Sequence, residues 1–162
     1  MCRLQGLSVV VNASLLTGAT CYVLAQWDIE KACSLIQKHR VTTLYVPPPI
    51  VLALSKHPIV DNYDLSSMRW ITSGAAPLSQ ELVASVWNRL KIAVRQGYGL
   101  SESSPTTHTQ LVDEWARFQG SVGKLVPNMQ VKIIDPEGNE LPHGKVIPSF
   151  PLPLSKGICQ RI

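Results

Sequence analysis

Gln96-Gly97-Tyr98-Gly99-Leu100-Ser101-Glu102-Ser103-Ser104-Pro105 is the stretch around which this chain is organised. It follows Lys91-Ile92-Ala93-Val94-Arg95, whose alternation reads as a β-strand. The stretch is therefore expected to be the loop that leaves that strand. Two glycines bracket an aromatic ring, so neighbouring side chains do not cover it and the backbone is free to turn. A hydroxyl and a carboxylate follow at once. That order suits a flat base against the ring, a phosphate near the hydroxyl and a cation near the carboxylate. An ordinary turn after a strand has the same glycines.

Upstream, Met68 to Thr72 reads as a short strand running into Ser73-Gly74-Ala75-Ala76-Pro77. Ser79 is placed to cap a helix over residues 80–90, with Leu82, Val83, Val86 and Leu90 on its buried face. Earlier still, Val41 to Val46 is β-branched and aromatic, and Pro47-Pro48-Pro49 ends it and starts a helix that His57-Pro58 breaks. Asp28 is a good N-cap for residues 29–39, where Ile29, Ala32, Cys33, Leu35 and Ile36 share a face. Residues 20–25 read as a short buried strand, and residues 7–16 as a helix closed by Gly18. Strand alternating with helix predicts an α/β fold with a parallel sheet and right-handed crossovers. Ligands of such sheets bind at the carboxyl ends of the strands. Residues 73–76 and 96–102 both occupy that position, so two small-residue loops are expected to meet on one edge.

Downstream the pattern changes. Residues 108–119 are polar, Gly120-Ser121-Val122-Gly123-Lys124 is a glycine-rich turn, and residues 131–135 alternate like a half-buried strand. Pro136-Glu137-Gly138-Asn139 is a turn, after which Glu140-Leu141 starts a returning strand. The predicted organisation is an α/β subdomain over residues 1–107, the start of a β-rich subdomain over 108–145, and a divergent tail over 146–162. Pro148, Pro151 and Pro153 give that tail no period, and it is expected to be disordered or poorly packed.

With 162 residues, 45% of them hydrophobic and 16% charged, the chain can bury a core. Its net charge of +4 comes from scattered lysines and arginines with no aromatic interleaving, which argues against nucleic acid. Cys2, Cys21, Cys33 and Cys159 show neither zinc nor C-x-x-C spacing and are read as free thiols. The N-terminal segment imitates a secretory signal ending near Ala25, but Asn12 and Thr17-Gly18 interrupt it, and a structural segment is the reading adopted. No apolar stretch is long enough to span a membrane.

Three motifs in order, Ser73-Gly74-Ala75-Ala76-Pro77-Leu78, Gln96-Gly97-Tyr98-Gly99-Leu100-Ser101-Glu102 and Gly120-Ser121-Val122-Gly123-Lys124, resemble those of the adenylate-forming (AMP-dependent) synthetases and ligases. The 4-coumarate–CoA ligase-like group is the most similar. Val46-Pro47-Pro48-Pro49, Tyr63-Asp64-Leu65-Ser66-Ser67 and Val131-Lys132-Ile133-Ile134-Asp135 extend the resemblance over roughly residues 15–145. It implies part of the large N-terminal domain of such an enzyme. Members join a carboxylic acid to AMP from Mg-ATP and then pass the acyl group to coenzyme A. By resemblance, Gly74, Ala75 and Ala76 would lie along the adenine and Gln96, Gly97 and Tyr98 would hold its other side. Ser101, where the family usually has Thr, would reach the α-phosphate, and Glu102 would bind Mg²⁺. Gly74, Gly99, Pro105 and Thr106 would border the acyl pocket. Thr106 departs from the apolar residue common in plant coumarate ligases, which leaves aryl, medium-chain and fatty acids open. His39, His57, His108 and His143 are read as ordinary loop or surface residues, and Ser103 and Ser104 as loop formers.

The family's phosphate-gripping loop upstream and its lysine-bearing C-terminal domain downstream have no counterpart in these residues, and the coenzyme A site is largely missing. The expectation is a fragment of an acid–CoA ligase, inactive alone. Alternatives are a non-catalytic AMP-binding or interaction module and a non-functional truncated product. The family's cytoplasmic and peroxisomal compartments both remain open, since Gln160-Arg161-Ile162 is no Ser-Lys-Leu address.

Overall fold

The computed structural model describes residues 6–135, 139–141 and 157–161. A π-helical segment, Gly6–Asn12, runs into α1 (Ala13–Thr17), and Gly18 closes it at φ 65° as its glycine predicts. Residues 20–25 do not form the expected buried strand. They are irregular, and Val23 is 79% exposed. A buried strand needs a hydrogen-bonded neighbour, and β-rich composition alone does not supply one. The adjoining sheet edge has, among the described residues, no further strand beside it.

Capping residues set the helices where the sequence places them. The Asp28 carboxylate accepts the Lys31 N–H at 2.8 Å and starts α2 (Ile29–His39), which buries Ala32, Cys33 and Ile36. Strand β1 (Thr43–Val46) ends at Pro47, the N-cap of α3 (Pro48–Lys56). A 3₁₀ turn, Pro58–Asn62, and a turn in which Asp64 Oδ1 accepts the Ser66 N–H lead to β2 (Trp70–Ser73). Ser79 Oγ accepts the Leu82 N–H at 3.3 Å and starts α4 (Gln80–Leu90), which ends at Lys91. Arg89 of α4 donates to the carbonyls of Leu54 and His57 and to both Asp61 oxygens, tying α4 to the end of α3.

Strand β3 (Ala93–Gly99) is the centre of a five-stranded sheet ordered β1-β2-β3-β4-β5, with β4 at Thr106–Thr109 and β5 at Lys124–Leu125. The first three strands are parallel, as predicted, while β4 and β5 are antiparallel additions that the sequence reading did not contain. Residues 100–105 explain this: they are too few for a crossover helix, so the chain can return only as an antiparallel neighbour. Strand β4 crosses the expected division at residue 107. Leu44, Val46, Ile71 and Val94 on one sheet face pack with Cys33 and Ile36 of α2, Val51 and Leu54 of α3, and Val83 and Val86 of α4. Each such buried aliphatic side chain contributes about 1.5–3 kcal/mol.

Beyond this sheet, β6 (Met129–Ile133) pairs antiparallel with β7 (Gly157–Arg161). The expectation of disorder in the tail therefore meets a strand over these five residues, in which the ladder supplies the order that composition does not. Residues 142–156, and the turn expected at residues 136–138, lie outside the described residues. The returning strand expected at Glu140 is a single bridge to Ile134. Strand β6 is exposed from Gln130 onward rather than half-buried. Among the described residues, Cys21 and Cys33 are free thiols, and burial pushes the Cys33 thiol up. No helix among the described residues is long and apolar enough to cross a membrane.

Candidate adenylate site

Two segments meet at the carboxyl ends of β2 and β3. Ser73 and Gln96 are paired across the two strands, so Gly74 leaves the sheet beside Gly97. The expectation that residues 73–76 and 96–102 share one edge is thereby borne out in position. Gly74 is half-buried, and Ala75 and Ala76 are exposed. Ala75 stands at φ 72°, a left-handed conformation that costs an L-residue roughly 1–2 kcal/mol.

Gln96, Gly97, Tyr98 and Gly99 are not a loop, as the glycines led us to expect, but the second half of β3. The strand changes partner at this point. It pairs parallel with β2 as far as Gln96 and antiparallel with β4 from Gly97 to Gly99. The glycines serve close packing against β4. A Cβ at Gly97 would lie 3.3 Å from the His108 carbonyl oxygen, and one at Gly99 would run into the Pro105 carbonyl. Buried Gln96 donates its N–H to Gln110 Oε1 at 2.8 Å and accepts the Gln110 N–H at 3.0 Å. Gln110 Nε2 in turn donates to the Phe118 carbonyl at 2.7 Å.

Half-buried Tyr98 pairs with His108 of β4, their rings 6.0 Å apart between centroids and tilted by 57°. His108 is thus a half-buried strand residue, not a loop one. Thr107 Oγ1 donates to the Tyr98 carbonyl at 3.2 Å and lies 2.9 Å from His108 Nδ1. Burial pulls the His108 pKa below the ordinary histidine value.

Ser101 and Glu102 sit side by side in a 3₁₀ turn, Ser101–Ser103, and both are exposed. Ser103 holds the turn shut. It is 3% exposed, its Oγ accepts the Leu100 N–H at 3.1 Å and also lies within hydrogen-bond distance of the Leu100 and Pro105 carbonyls. Ser104 follows at φ 58°. Pro105 and Thr106, both half-buried, then enter β4. Among the described residues no three His, Cys, Asp or Glu side chains cluster to hold a metal.

The sequence reading missed Gln110, Thr107 and the structural part of Ser103. Their signals were absent because each acts through side-chain hydrogen bonds to particular partners, most of them backbone atoms, and such bonds have no periodicity. A groove of about 600 Å³ lies elsewhere, between residues 9–27, α2 and β1, lined by Val9, Tyr22, Trp27, Ile36 and Leu44. None of the predicted site residues lines it.

Comparison with known proteins bears on the same segments. The model of the family described as "AMP-binding enzyme" matches residues 5–146. The chain belongs to this family. Among curated relatives, 4-coumarate:CoA ligase 1 of Petunia hybrida is 40% identical over 148 residues, which is 88% of this chain and 27% of the relative. 4-coumarate–CoA ligase 3 of Arabidopsis thaliana is 42% identical over 131 residues, 78% of this chain and 23% of the relative. The chain therefore spans about a quarter of the length of the curated relatives it matches. Among solved structures, an ATP-bound RpMatB-BxBclM chimera superposes with a TM-score of 0.78 at 28% identity, over 88% of this chain and 28% of that one. The amide bond synthetase McbA of Marinactinospora thermotolerans gives 0.72 at 29%, over 82% and 27%. The mixed α/β sheet is that of the N-terminal domain of adenylate-forming enzymes.

Proposed function

We propose that this chain carries the adenine side of the site of an acid–CoA ligase. Gly74, Ala75 and Ala76 lie along one side of the base, and Gln96, Gly97 and Tyr98 hold the other. Ser101 reaches the α-phosphate. Gly74, Gly99, Pro105 and Thr106 border the pocket for the acid. The observation that carries the reading is the Ser73–Gln96 pairing, which sets the two segments side by side at the strand ends. In the whole reaction the acid's carboxylate attacks the α-phosphate and pyrophosphate leaves, a step governed by positioning and by stabilisation of developing charge.

Mg²⁺ fits the residues present. It keeps most of its waters and is bound through one or two carboxylates together with substrate phosphates, so no preformed protein cage is required. Glu102, exposed and next to the Ser101 hydroxyl, is the residue that would hold it. When bound, the cation would offset phosphate charge. The curated relatives are named as CoA ligases, and the family resemblance makes coenzyme A the acyl acceptor. We assign that role to the longer enzyme and no residue of this chain to it.

Calorimetric titration with AMP tests the reading. Tyr98→Ala is expected to weaken AMP binding by about fivefold to a hundredfold, the range of one base–aromatic stack. Equal affinities for the two proteins would remove the adenine site.

Binding without turnover is the second reading. Exposed Leu15, Leu16 and Val23 favour a surface that another polypeptide covers. It differs from the first in expecting AMP binding together with a partner.

A further inference from the structure

Strand alternation gives the parallel strands two faces. Leu44, Val46, Ile71 and Val94 face the helices, and Tyr45, Trp70, Thr72 and Arg95 face away from that core. On this second face the Arg95 guanidinium lies over the Trp70 ring, 5.1 Å from its centroid, and its Nε donates to Thr72 Oγ1 at 2.8 Å. Among the described residues no carboxylate forms an ion pair with Arg95. The Trp70 indole N–H beside it is buried and has no acceptor among the described residues. A buried donor without an acceptor and a half-buried cation without a carboxylate among the described residues therefore stand at one place.

The position of this cluster says what would meet it. Thr72 and Arg95 are directly paired, and each precedes a glycine of the candidate site by two residues, Gly74 and Gly97. Along a strand that is one pleat on the same face, about 7 Å. Gly74 is a border of the acid pocket in the reading above, on which this step rests. The backbone of Arg95 thus stands one pleat from Gly97, and that of its pair Thr72 one pleat from Gly74 at the border of the acid pocket; the guanidinium is fixed by stacking and by one hydrogen bond and forms no ion pair with a carboxylate among the described residues.

We propose that Arg95, positioned by Trp70 and Thr72, is a specificity-determining residue that selects carboxylic acids carrying a second anionic group at the far end. A guanidinium matches a carboxylate in planar, two-point geometry, which a neutral chain end cannot reproduce.

The test titrates the full chain, ¹⁵N-labelled, with suberic acid and with octanoic acid, alongside AMP. Suberate is expected to bind at least about tenfold tighter than octanoate. Arg95→Met is expected to bring the two within about twofold, and Arg95→Lys to retain part of the preference, since it keeps charge without the fork. Thr72→Val, which leaves the guanidinium in place but unanchored, is expected to reduce the preference several-fold and stands in should Arg95→Met fail to fold. Equal binding of the two acids by the unaltered chain, or an unchanged preference in the variants, overturns the role of Arg95. The AMP arm separates the two readings. AMP binding without acid preference removes the Arg95 role alone, and acid preference without AMP binding removes the adenine reading alone.

Discussion

Gln110 holds Gln96 from two sides, accepting its N–H at 2.8 Å through the side-chain oxygen and donating its own N–H to the Gln96 carbonyl at 3.0 Å. The amide nitrogen of Gln110 reaches the Phe118 carbonyl, so a single 2%-exposed side chain joins the site strand to the loop after β4. This pin lies where β3 exchanges its parallel partner for an antiparallel one, the point at which a strand has least support from its ladder.

Gln110→Ala therefore leaves one buried donor and one carbonyl unmet. The expected loss is about 2–3 kcal/mol of unfolding free energy, read as a lowered urea midpoint with an unchanged m-value. A loss below about 0.5 kcal/mol, the level of an ordinary surface change, would show that Gln96 is not held this way.

Two glycines of the site strand are expected to differ sharply on substitution. Gly97→Ala places its methyl 3.3 Å from the His108 carbonyl, a contact that a small shift relieves, so a cost of about 1 kcal/mol is expected. Gly99→Ala drives a methyl into the Pro105 carbonyl, which is backbone and cannot swing aside. About 3 kcal/mol is expected there. Thermal unfolding of the two variants gives the order directly, and the reverse order would contradict the packing of β3 on residues 105–106.

Local chemistry made most of the helical layer legible. Asp28, Pro47 and Ser79 mark their helix starts because a cap or a proline acts within one turn, and the structure keeps all three. The buried faces of α2 and α4 follow from 3.6-residue spacing in the same way. Partner-dependent features were not legible. Gln96 to Gly99 look like loop residues because their glycines are read against local propensity, whereas β4, arriving from later in the chain, makes them strand. The reverse error occurs at residues 20–25, where strand-like composition meets no partner among the described residues. For the candidate site, the two segments were legible as motifs. The pairing that joins them, and the Gln110 pin, are long-range contacts that leave no trace in spacing.

His108 gives the fold a pH dependence of defined sign. Its pKa in the folded chain is lowered by burial from the ordinary 6.5. The unfolded chain then binds more protons, so this residue's contribution to stability is complete above the unfolded value and declines as pH falls below it toward the lowered folded value. Below the folded value both states are charged and the slope ends. Urea midpoints measured from about pH 7.5 to pH 5.5 are expected to fall in the unaltered chain and to fall less in His108→Asn. Parallel profiles would mean that His108 titrates alike in both states.

The proposed division of labour also predicts what the chain does not do unaided. The residues proposed for the site would touch the base, one phosphate and one cation, while a transition state of phosphoryl-type transfer needs several charges and donors aimed at it. Removing even one preorganised donor costs roughly a hundredfold to a thousandfold in rate. Acid-dependent exchange of pyrophosphate into ATP is therefore expected to stay at background for this chain with aryl, medium-chain and dicarboxylic acids. AMP binding, measured on the same preparation, is expected to persist. Exchange above background that disappears in Glu102→Ala would show that Ser101 and Glu102 suffice for adenylation, and would overturn the assignment of the chemistry to the longer enzyme.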